Sequence, residues 1–121
     1  MTAILTVDDS VSIRQTVRMA LSGEGYVVTE AVNGQDGLEK SGAGGFDLIV
    51  TDLNMPVMDG LAMIRELRKR PAGAGVPILF LTTEADPEIK GQAKAAGATG
   101  WLNKPIDRQQ LVRAVKKALV K

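Results

Sequence analysis

FDLIVTDLNMPVMDG, residues 46–60, joins an apolar, strand-forming run to a carboxylate, Asp52, and then to a turn-forming segment. A carboxylate at the end of a buried strand loses hydration, which costs free energy unless a cation or hydrogen-bond donors compensate it. Asp52 therefore either belongs to a turn or takes part in chemistry, and residues elsewhere in the sequence distinguish these alternatives.

The composition narrows the classes of possible function. A chain of 121 residues is long enough to form one domain with its own hydrophobic core. It contains no cysteine and no histidine, which excludes disulfides, thiolate or imidazole metal ligands and a Ser-His-Asp triad. Any chemistry must use carboxylates, hydroxyls, lysines or a hard cation.

Charge and hydropathy indicate the cellular setting. The net charge is +1, so we expect neither a nucleic-acid nor a membrane partner. We also expect no signal peptide, because no basic and apolar leader follows Met1, and no apolar run is long enough to span a bilayer. A cytoplasmic monomer is predicted.

Apolar, strand-like runs alternate with stretches of helical periodicity along the chain. The predicted strands are residues 3–7, 26–31, 46–51, 77–82 and 99–103. Asp59, Asp86 and Asp107 are placed to cap the third, fourth and fifth helices. Because the strands are near-continuous apolar runs, they should be buried on both faces. The sequence predicts an α/β fold, with a doubly wound, five-stranded parallel sheet and helices on both faces.

Polar residues occur where four of the predicted strands end. Asp8 and Asp9 follow the first strand, Asp52 follows the third, and Lys104 follows the fifth, whereas Thr82 ends the fourth. Functional sites of parallel sheets lie outside the carboxyl ends of the strands. If these four strands are neighbours, the polar residues share one edge of the sheet.

Each residue also has a simpler interpretation. Asp8, Asp9 or Ser10 could cap the first helix, and Asp52 could be a turn residue. The threonine and the lysine, taken singly, are an ordinary strand-end residue and an ordinary surface residue. The combination favours chemistry, because three carboxylates at one edge would repel one another and would need a cation.

The donor set indicates which cation and which chemistry. Two like charges about 4 Å apart repel by about 4 kcal/mol at an effective dielectric near 20. An all-oxygen cluster without histidine or cysteine suits Mg²⁺. Mg²⁺, Lys104 and the Thr82 hydroxyl around Asp52 could stabilise phosphoryl oxygens while the carboxylate acts as the nucleophile. We therefore interpret Asp52 as a phosphoacceptor.

With these residues identified, the chain resembles a response-regulator receiver domain. The resemblance extends over the whole chain, through the segments ILTVDDS, FDLIVTDLNMPVMDG, PILFLTTEA and WLNKP. It implies a flavodoxin-like (βα)5 fold over residues 1–121, with strand order 2-1-3-4-5. Since we expect no output domain, the chain is similar to the single-domain, CheY-like chemotaxis regulators.

The resemblance implies a role for each acid. Asp52 accepts a phosphoryl group from a phosphohistidine of a histidine kinase, in a transfer that the receiver itself catalyses, so the domain is a signalling phosphoacceptor and not an enzyme. Asp9 and Asp52 hold Mg²⁺ together with the backbone carbonyl of Asn54. Asp8 holds a metal-bound water.

Further roles follow from the same resemblance. Lys104 and Thr82 contact the phosphoryl oxygens, and the peptide bond between Lys104 and Pro105 is expected to be cis. Asn54 and Glu84 occupy positions that tune the attack of water on the acyl phosphate, which sets the rate of autodephosphorylation.

The resemblance also implies how the signal leaves the site. Movement of Thr82 is coupled to Trp101 on the fifth strand, and the output face comprises the fourth helix, fifth strand and fifth helix. Trp101 stands where Tyr or Phe is usual, and Thr83 stands where a smaller residue is usual. The basic residues of the last helix are either a solvated face or a docking surface for an acidic partner.

The biological role remains divided among three alternatives. The domain could control the flagellar motor switch in chemotaxis, act as a phosphate sink for another regulator, or serve as a shuttle in a phosphorelay. The histidine kinase is the expected phosphodonor in each case, and a phosphatase is a further candidate partner.

Three other classes of protein fit the sequence less well: an aspartate-nucleophile phosphatase, a flavin-binding flavodoxin-like module and a dinucleotide-binding domain. A phosphatase with an aspartate nucleophile typically needs an acid two residues on, where this chain has Asn54. A flavin phosphate would be repelled by Asp8 and Asp9. A dinucleotide site is also disfavoured, because no G-x-G-x-x-G follows a predicted strand.

Overall fold

The computed structural model describes residues 2–42, 44–70, 75–83 and 85–120. Strands and helices alternate throughout these residues. The strands are β1 (Ala3–Val7), β2 (Val27–Ala31), β3 (Leu48–Thr51), β4 (Ile78–Thr82) and β5 (Gly100–Asn103). The helices are α1 (Val11–Ser22), α2 (Gly34–Gly42), α3 (Gly60–Arg68), α4 (Pro87–Ala95) and α5 (Arg108–Leu119).

The strands form one parallel sheet in the order β2-β1-β3-β4-β5. Helices α2, α3 and α4 cover one face, where Phe80 and Met63 are buried in a common core. Helices α1 and α5 cover the other face, where Leu21 and Val115 lie in a second core. The predicted doubly wound fold is confirmed. Among the described residues, no helix has the length and apolar character needed to cross a bilayer.

Four strands begin one or two residues later than the sequence predicts, because the pairing register sets where each ladder starts. Tyr26 was predicted to open β2, but its amide donates to the Leu21 carbonyl at 3.3 Å and closes α1 instead. Pairing of β2 begins where Val27 lies opposite Ala3. The later starts of β3, β4 and β5 are at Leu48, Ile78 and Gly100.

Side-chain caps begin the helices. Ser10 is the residue that caps α1, since its Oγ accepts the Ile13 amide at 3.4 Å. The predicted caps Asp59, Asp86 and Asp107 are confirmed, and each accepts a backbone amide of the helix that follows it. Because Ser10 takes the capping role, the carboxylates of the two preceding aspartates remain available at the sheet edge.

Two glycines hold the β3–α3 loop, residues 52–59, against the body of the domain. The Gly34 amide donates to the Met58 carbonyl at 3.0 Å, and the Gly60 amide donates to the Leu53 carbonyl at 2.8 Å. A Cβ at position 60 would overlap the Asp52 carbonyl oxygen and lie 2.7 Å from Cε1 of Phe80. The absence of a side chain at this position therefore allows the loop to close over the end of β3.

We predict that Gly60→Ala lowers the free energy of unfolding by about 1–3 kcal/mol, because the added methyl group overpacks a site bounded by backbone and a buried ring. Gly91→Ala is the matched control, since position 91 lies in α4 with open space around it. Alanine there should stabilise the fold by up to about 1 kcal/mol through helix propensity. Urea unfolding of both variants measures the difference, and a Gly60→Ala protein as stable as wild type would contradict the packing argument.

Candidate functional site

The sheet topology brings four of the predicted site residues to one edge. The Asp52 amide donates to the Val7 carbonyl at 2.9 Å, which places Asp52 beside Asp8. The Lys104 amide donates to the Thr82 carbonyl at 3.0 Å, which places Lys104, the residue after β5, beside the end of β4. The backbone ladders thus continue past the strand ends and fix the spacing of the functional residues.

The Lys104 ammonium lies between two carboxylates. Its Nζ is 3.1 Å from Oδ2 of Asp8 and 3.2 Å from Oδ2 of Asp52. The lysine side chain is 15% exposed, whereas those of Asp8 and Asp52 are 2% and 9% exposed. At this degree of burial the ammonium compensates charges that water can no longer solvate.

Each buried carboxylate also accepts a backbone hydrogen bond. The Ser10 amide donates to Oδ1 of Asp8 at 2.9 Å, and the Leu53 amide donates to Oδ1 of Asp52 at 2.8 Å. In both aspartates the second oxygen therefore points to the lysine while the first is held by the chain. The two carboxylates are oriented before any ligand arrives.

Burial raises the pKa of Asp8 above 3.8, against the opposing effects of the Ser10 amide and Lys104, and the Asp52 charge adds to the rise. A raised pKa in the folded state means that ionisation of Asp8 opposes folding. Stability from this group is therefore largest in acid and declines as the pH rises above the ordinary value of 3.8.

Burial lowers the pKa of Lys104, but hydrogen bonds and attraction to Asp8 and Asp52 outweigh it, so that the pKa lies above 10.5. The stabilisation from the ammonium is complete below 10.5 and is lost only as the pH rises through the raised pKa. Lys104 is therefore positively charged at neutral pH.

Asp9 completes a cluster that could hold a metal. One carboxylate oxygen each from Asp8, Asp9 and Asp52 lies within 4.8 Å of the other two, and Asp9 is the exposed member. Hard carboxylate oxygens, with one open side toward solvent, fit a Mg²⁺ ion that retains several waters. Nitrogen or sulfur ligands, which would favour another metal, do not occur in the cluster.

The remaining predicted residues lie in the loops that follow β3, β4 and β5, where the structure describes them. Asn54 is exposed in the β3–α3 loop, and Thr83 is exposed after β4. Glu84 lies outside the described residues. The Lys104–Pro105 peptide bond is cis.

Thr82 and Trp101 lie on the same face of the sheet. Thr82 is fully buried and follows Phe80 by two residues along β4, so both side chains project to one side. Trp101 is opposite Phe80 in the ladder, with ring centroids 5.5 Å apart. The Lys90 ammonium lies 5.3 Å from the centroid of the indole. In the part of the chain that the structure describes, the buried Trp101 Nε1 has no hydrogen-bond partner.

Three residues that contact the backbone around the site could not be identified from the sequence. Arg14 is buried and donates to the Asp8 carbonyl at 2.7 Å. Gly34 and Gly60 hold the loop that follows Asp52. An arginine within an amphipathic helix and glycines at helix starts carry no local signal of such contacts, because the contacts depend on tertiary structure.

Comparison with known proteins shows the family and the fold of this chain. The family model of the response regulator receiver domain matches residues 4–116 of this chain, and the chain belongs to this family. The *Vibrio cholerae* chemotaxis protein CheY4 superposes with a TM-score of 0.93 at 43% identity, covering 98% of both chains. The receiver domain of the *Pseudomonas aeruginosa* sensor histidine kinase PA1611 has a TM-score of 0.91 at 29% identity, covering 99% of this chain and 98% of that one. That structure contains a magnesium ion coordinated in its active-site cleft.

A longer relative shows the same domain in another context. The transcriptional regulatory protein ResD of *Bacillus subtilis* is 36% identical over 118 residues. The alignment covers 98% of this chain and 48% of ResD, so the chain spans about half the length of that relative.

We predict that Asp9→Asn raises the melting temperature in the absence of Mg²⁺, because it removes one of three clustered negative charges. The gain should be about 1 kcal/mol or less, since Asp9 is exposed and water screens the repulsion. Added Mg²⁺ should stabilise wild type by RT ln(1 + [L]/Kd) and the variant much less.

Glu39→Gln is the control for this measurement, because it removes a negative charge from an exposed residue of α2, far along the chain from the cluster. Differential scanning calorimetry with and without Mg²⁺ distinguishes the two variants. Equal Mg²⁺ stabilisation of Asp9→Asn and wild type would show that Asp9 is not a ligand.

Proposed function

We propose that this receiver domain accepts a phosphoryl group on Asp52 from the phosphohistidine of a histidine kinase, in a reaction that depends on Mg²⁺. The observation that carries the proposal is the position of the Asp52 carboxylate, which lies 3.2 Å from the Lys104 ammonium and within 4.8 Å of the ligand oxygens of Asp8 and Asp9. A nucleophile, a fixed positive charge and a cation-binding cluster thus meet at one sheet edge.

The residues support a transfer in which one bond replaces another. A carboxylate oxygen of Asp52 forms the new P–O bond as the P–N bond to the kinase imidazole breaks, and the bonding electrons return to the imidazole nitrogen. The Leu53 amide holds one oxygen of Asp52, which orients the carboxylate for attack. Lys104 stabilises charge that develops on the phosphoryl oxygens, and the Thr82 hydroxyl donates to one of them.

Mg²⁺, when bound by Asp9, Asp52 and the Asn54 carbonyl, would neutralise further negative charge on the phosphoryl group. Asp8 would hold a metal-bound water. The fit rests on the all-carboxylate donor set of the cluster. The magnesium ion in the cleft of the PA1611 receiver domain supports the choice of metal.

Loss of the phosphoryl group is proposed to occur by attack of water within the same site. Asn54 is exposed two residues after the nucleophile, and its amide can orient water but cannot donate a titrating proton. Glu84 is proposed to act with it. A slow, self-catalysed hydrolysis fits a signalling phosphoacceptor better than repeated turnover of a substrate.

We infer that phosphorylation is transmitted through Thr82 and Trp101. The phosphoryl group would draw Thr82 toward the site, and Trp101 packs against Phe80 on the same face. The Trp101 Nε1–H has no hydrogen-bond partner among the described residues, so a change of this rotamer would break no hydrogen bond to the indole there. A small change at Thr82 could then shift the population of Trp101 conformers.

The proposed target binds the output face formed by α4, β5 and α5. The similarity to the chemotaxis protein CheY4 supports a role in chemotaxis, with the flagellar motor switch as the proposed partner. Basic residues on α4 and α5, among them Lys90, Lys94 and Lys117, favour an acidic partner. A phosphate sink or a phosphorelay shuttle is the alternative role for the same phosphorylation site.

We predict that Asp52→Asn abolishes Mg²⁺-dependent uptake of one phosphoryl group from acetyl phosphate, because the amide is not a nucleophile. Asp47→Asn is the matched control. Asp47 precedes β3 at the opposite edge of the sheet, where its carboxylate accepts the Ala3 amide at 2.8 Å. Intact mass spectrometry should show uptake in wild type and Asp47→Asn only, and uptake by Asp52→Asn would move the phosphoacceptor elsewhere.

A second prediction separates the motor regulator from the sink. Beryllium fluoride with Mg²⁺ should increase binding of wild type to motor-switch peptides, while Thr82→Ala should still take up phosphate but lose most of that increase. Isothermal titration measures the binding, and mass spectrometry checks uptake. If wild type binds the peptides equally with and without beryllium fluoride, the motor proposal fails and the sink or shuttle role is favoured.

A further inference from the structure

A buried arginine contacts the backbone of the acid cluster formed by Asp8, Asp9 and Asp52. Arg14, on the first turn of α1, is only 9% exposed. Its Nη1 donates to the backbone carbonyl of Asp8 at 2.7 Å, and its Nε donates to Oε1 of Glu30 on β2 at 3.1 Å. The guanidinium therefore connects the first acidic residue of the site to the neighbouring strand.

Glu30 holds this arginine in place. Its second carboxylate oxygen, Oε2, accepts a hydrogen bond from Arg18 at 3.0 Å, and its backbone carbonyl accepts one from Lys40 at 2.5 Å. The planar fork of an arginine loses little freedom when two of its donors are fixed at once. Arg14 is thus a rigid support, and its charge is paired with the Glu30 carboxylate that Arg18 also contacts.

The contact with Asp8 constrains the start of the β1–α1 loop. The Asp8 amide donates to the Ala31 carbonyl at 3.1 Å, and its carboxylate is held by Ser10 and Lys104. Arg14 fixes the remaining polar group, the carbonyl. Because the peptide between Asp8 and Asp9 is planar, the orientation of this carbonyl also sets the position of the Asp9 Cα atom, to which the Asp9 side chain is attached.

We propose that Arg14 is a positioning residue for the proposed Mg²⁺ site, and the proposal rests on the proposed function. Arg14 orients the peptide that joins Asp8 to Asp9, so that the exposed Asp9 carboxylate stays within reach of Asp8 and Asp52. Residues that orient metal ligands through hydrogen bonds typically alter metal affinity about 10–100-fold when they are replaced.

Electrostatics and positioning predict opposite results when Arg14 is replaced. Removal of a positive charge near three carboxylates would tighten Mg²⁺ binding, although pairing of Arg14 with Glu30 reduces this effect. Loss of the hydrogen bond to Asp8 would weaken Mg²⁺ binding, because the ligands would no longer be held together. Weaker binding after Arg14→Met would therefore identify positioning and not charge.

The test is a Mg²⁺ titration of wild type, Arg14→Met, Arg14→Lys and Arg18→Met at constant ionic strength. Arg18→Met is the matched control, because Arg18 lies on the same helix and binds the same glutamate but its side chain is 59% exposed. Fluorescence of the single tryptophan, Trp101, and the Mg²⁺-induced shift in melting temperature give two independent values of Kd.

We expect the Kd for Mg²⁺ to rise at least about tenfold in Arg14→Met and to stay near the wild-type value in Arg18→Met. Arg14→Lys keeps the charge beside Glu30 and should fold, but it lacks the planar fork, so its Kd should lie between the other two. This variant carries the test if Arg14→Met does not fold.

The outcomes separate the two proposals. If wild type shows no saturable response to Mg²⁺, the proposed function fails, and the role of Arg14 fails with it. If wild type binds Mg²⁺ and the Arg14 variants bind it equally well or more tightly, only the positioning role is overturned. A lower melting temperature with an unchanged Kd has the same meaning, because it shows that Arg14 supports the fold alone.

Discussion

The ammonium group of Lys104 compensates the charges of two buried carboxylates at this edge of the sheet. It joins β5 to β1 and β3 by contacting Asp8 and Asp52, which are 96 and 52 residues away in the sequence. Without it, two almost fully buried carboxylates would face each other at low dielectric. Breaking such a buried arrangement by removing one partner typically costs about 3–5 kcal/mol. The strand order places the lysine next to the two aspartates. The lysine in turn lowers the free-energy cost of burying their carboxylates.

The lysine does not neutralise the cluster completely. Asp8, Asp9 and Asp52 carry three negative charges, and Lys104 carries one positive charge. A divalent cation would supply the two positive charges that are missing. The pKa of Asp8 is raised above its ordinary value mainly because burial opposes ionisation, and the Asp52 charge adds to the rise, even with the lysine in contact. A site that is short of positive charge is ready to bind Mg²⁺, and a phosphoryl group arriving at Asp52 would disturb the balance again. Stability is reduced locally where the proposed function needs charge.

The sequence predicted the fold and which polar residues meet at the candidate site, but not the residues that support them. Asp52 and Lys104 could be found because parallel strands end at one edge, once the strand order implied by the family resemblance makes their strands neighbours of β1 or β4. The N-cap role of Asp59 could be found because capping is local. The approach of Gly60 to Asp52 and the reach of Arg14 to Asp8 could not, because each depends on how distant elements pack. For the same reason, strand starts set by pairing register were predicted one or two residues too early.

The two sides of the site differ in how firmly they are held. On the β1–β3 side, Asp8 is fixed through hydrogen bonds of its amide, carbonyl and carboxylate. Gly60 has no side chain, so the loop after Asp52 packs tightly against it. On the β4–β5 side, Trp101 has a buried donor without a partner among the described residues and borders a cavity of about 300 Å³ beside α4. The residues on the β1–β3 side could therefore move little in response to a new charge at Asp52, whereas those on the β4–β5 side could rearrange. Because the side with free volume beside Trp101 yields at the lower cost, the structural response to the proposed phosphorylation should travel toward Trp101 and the proposed output face.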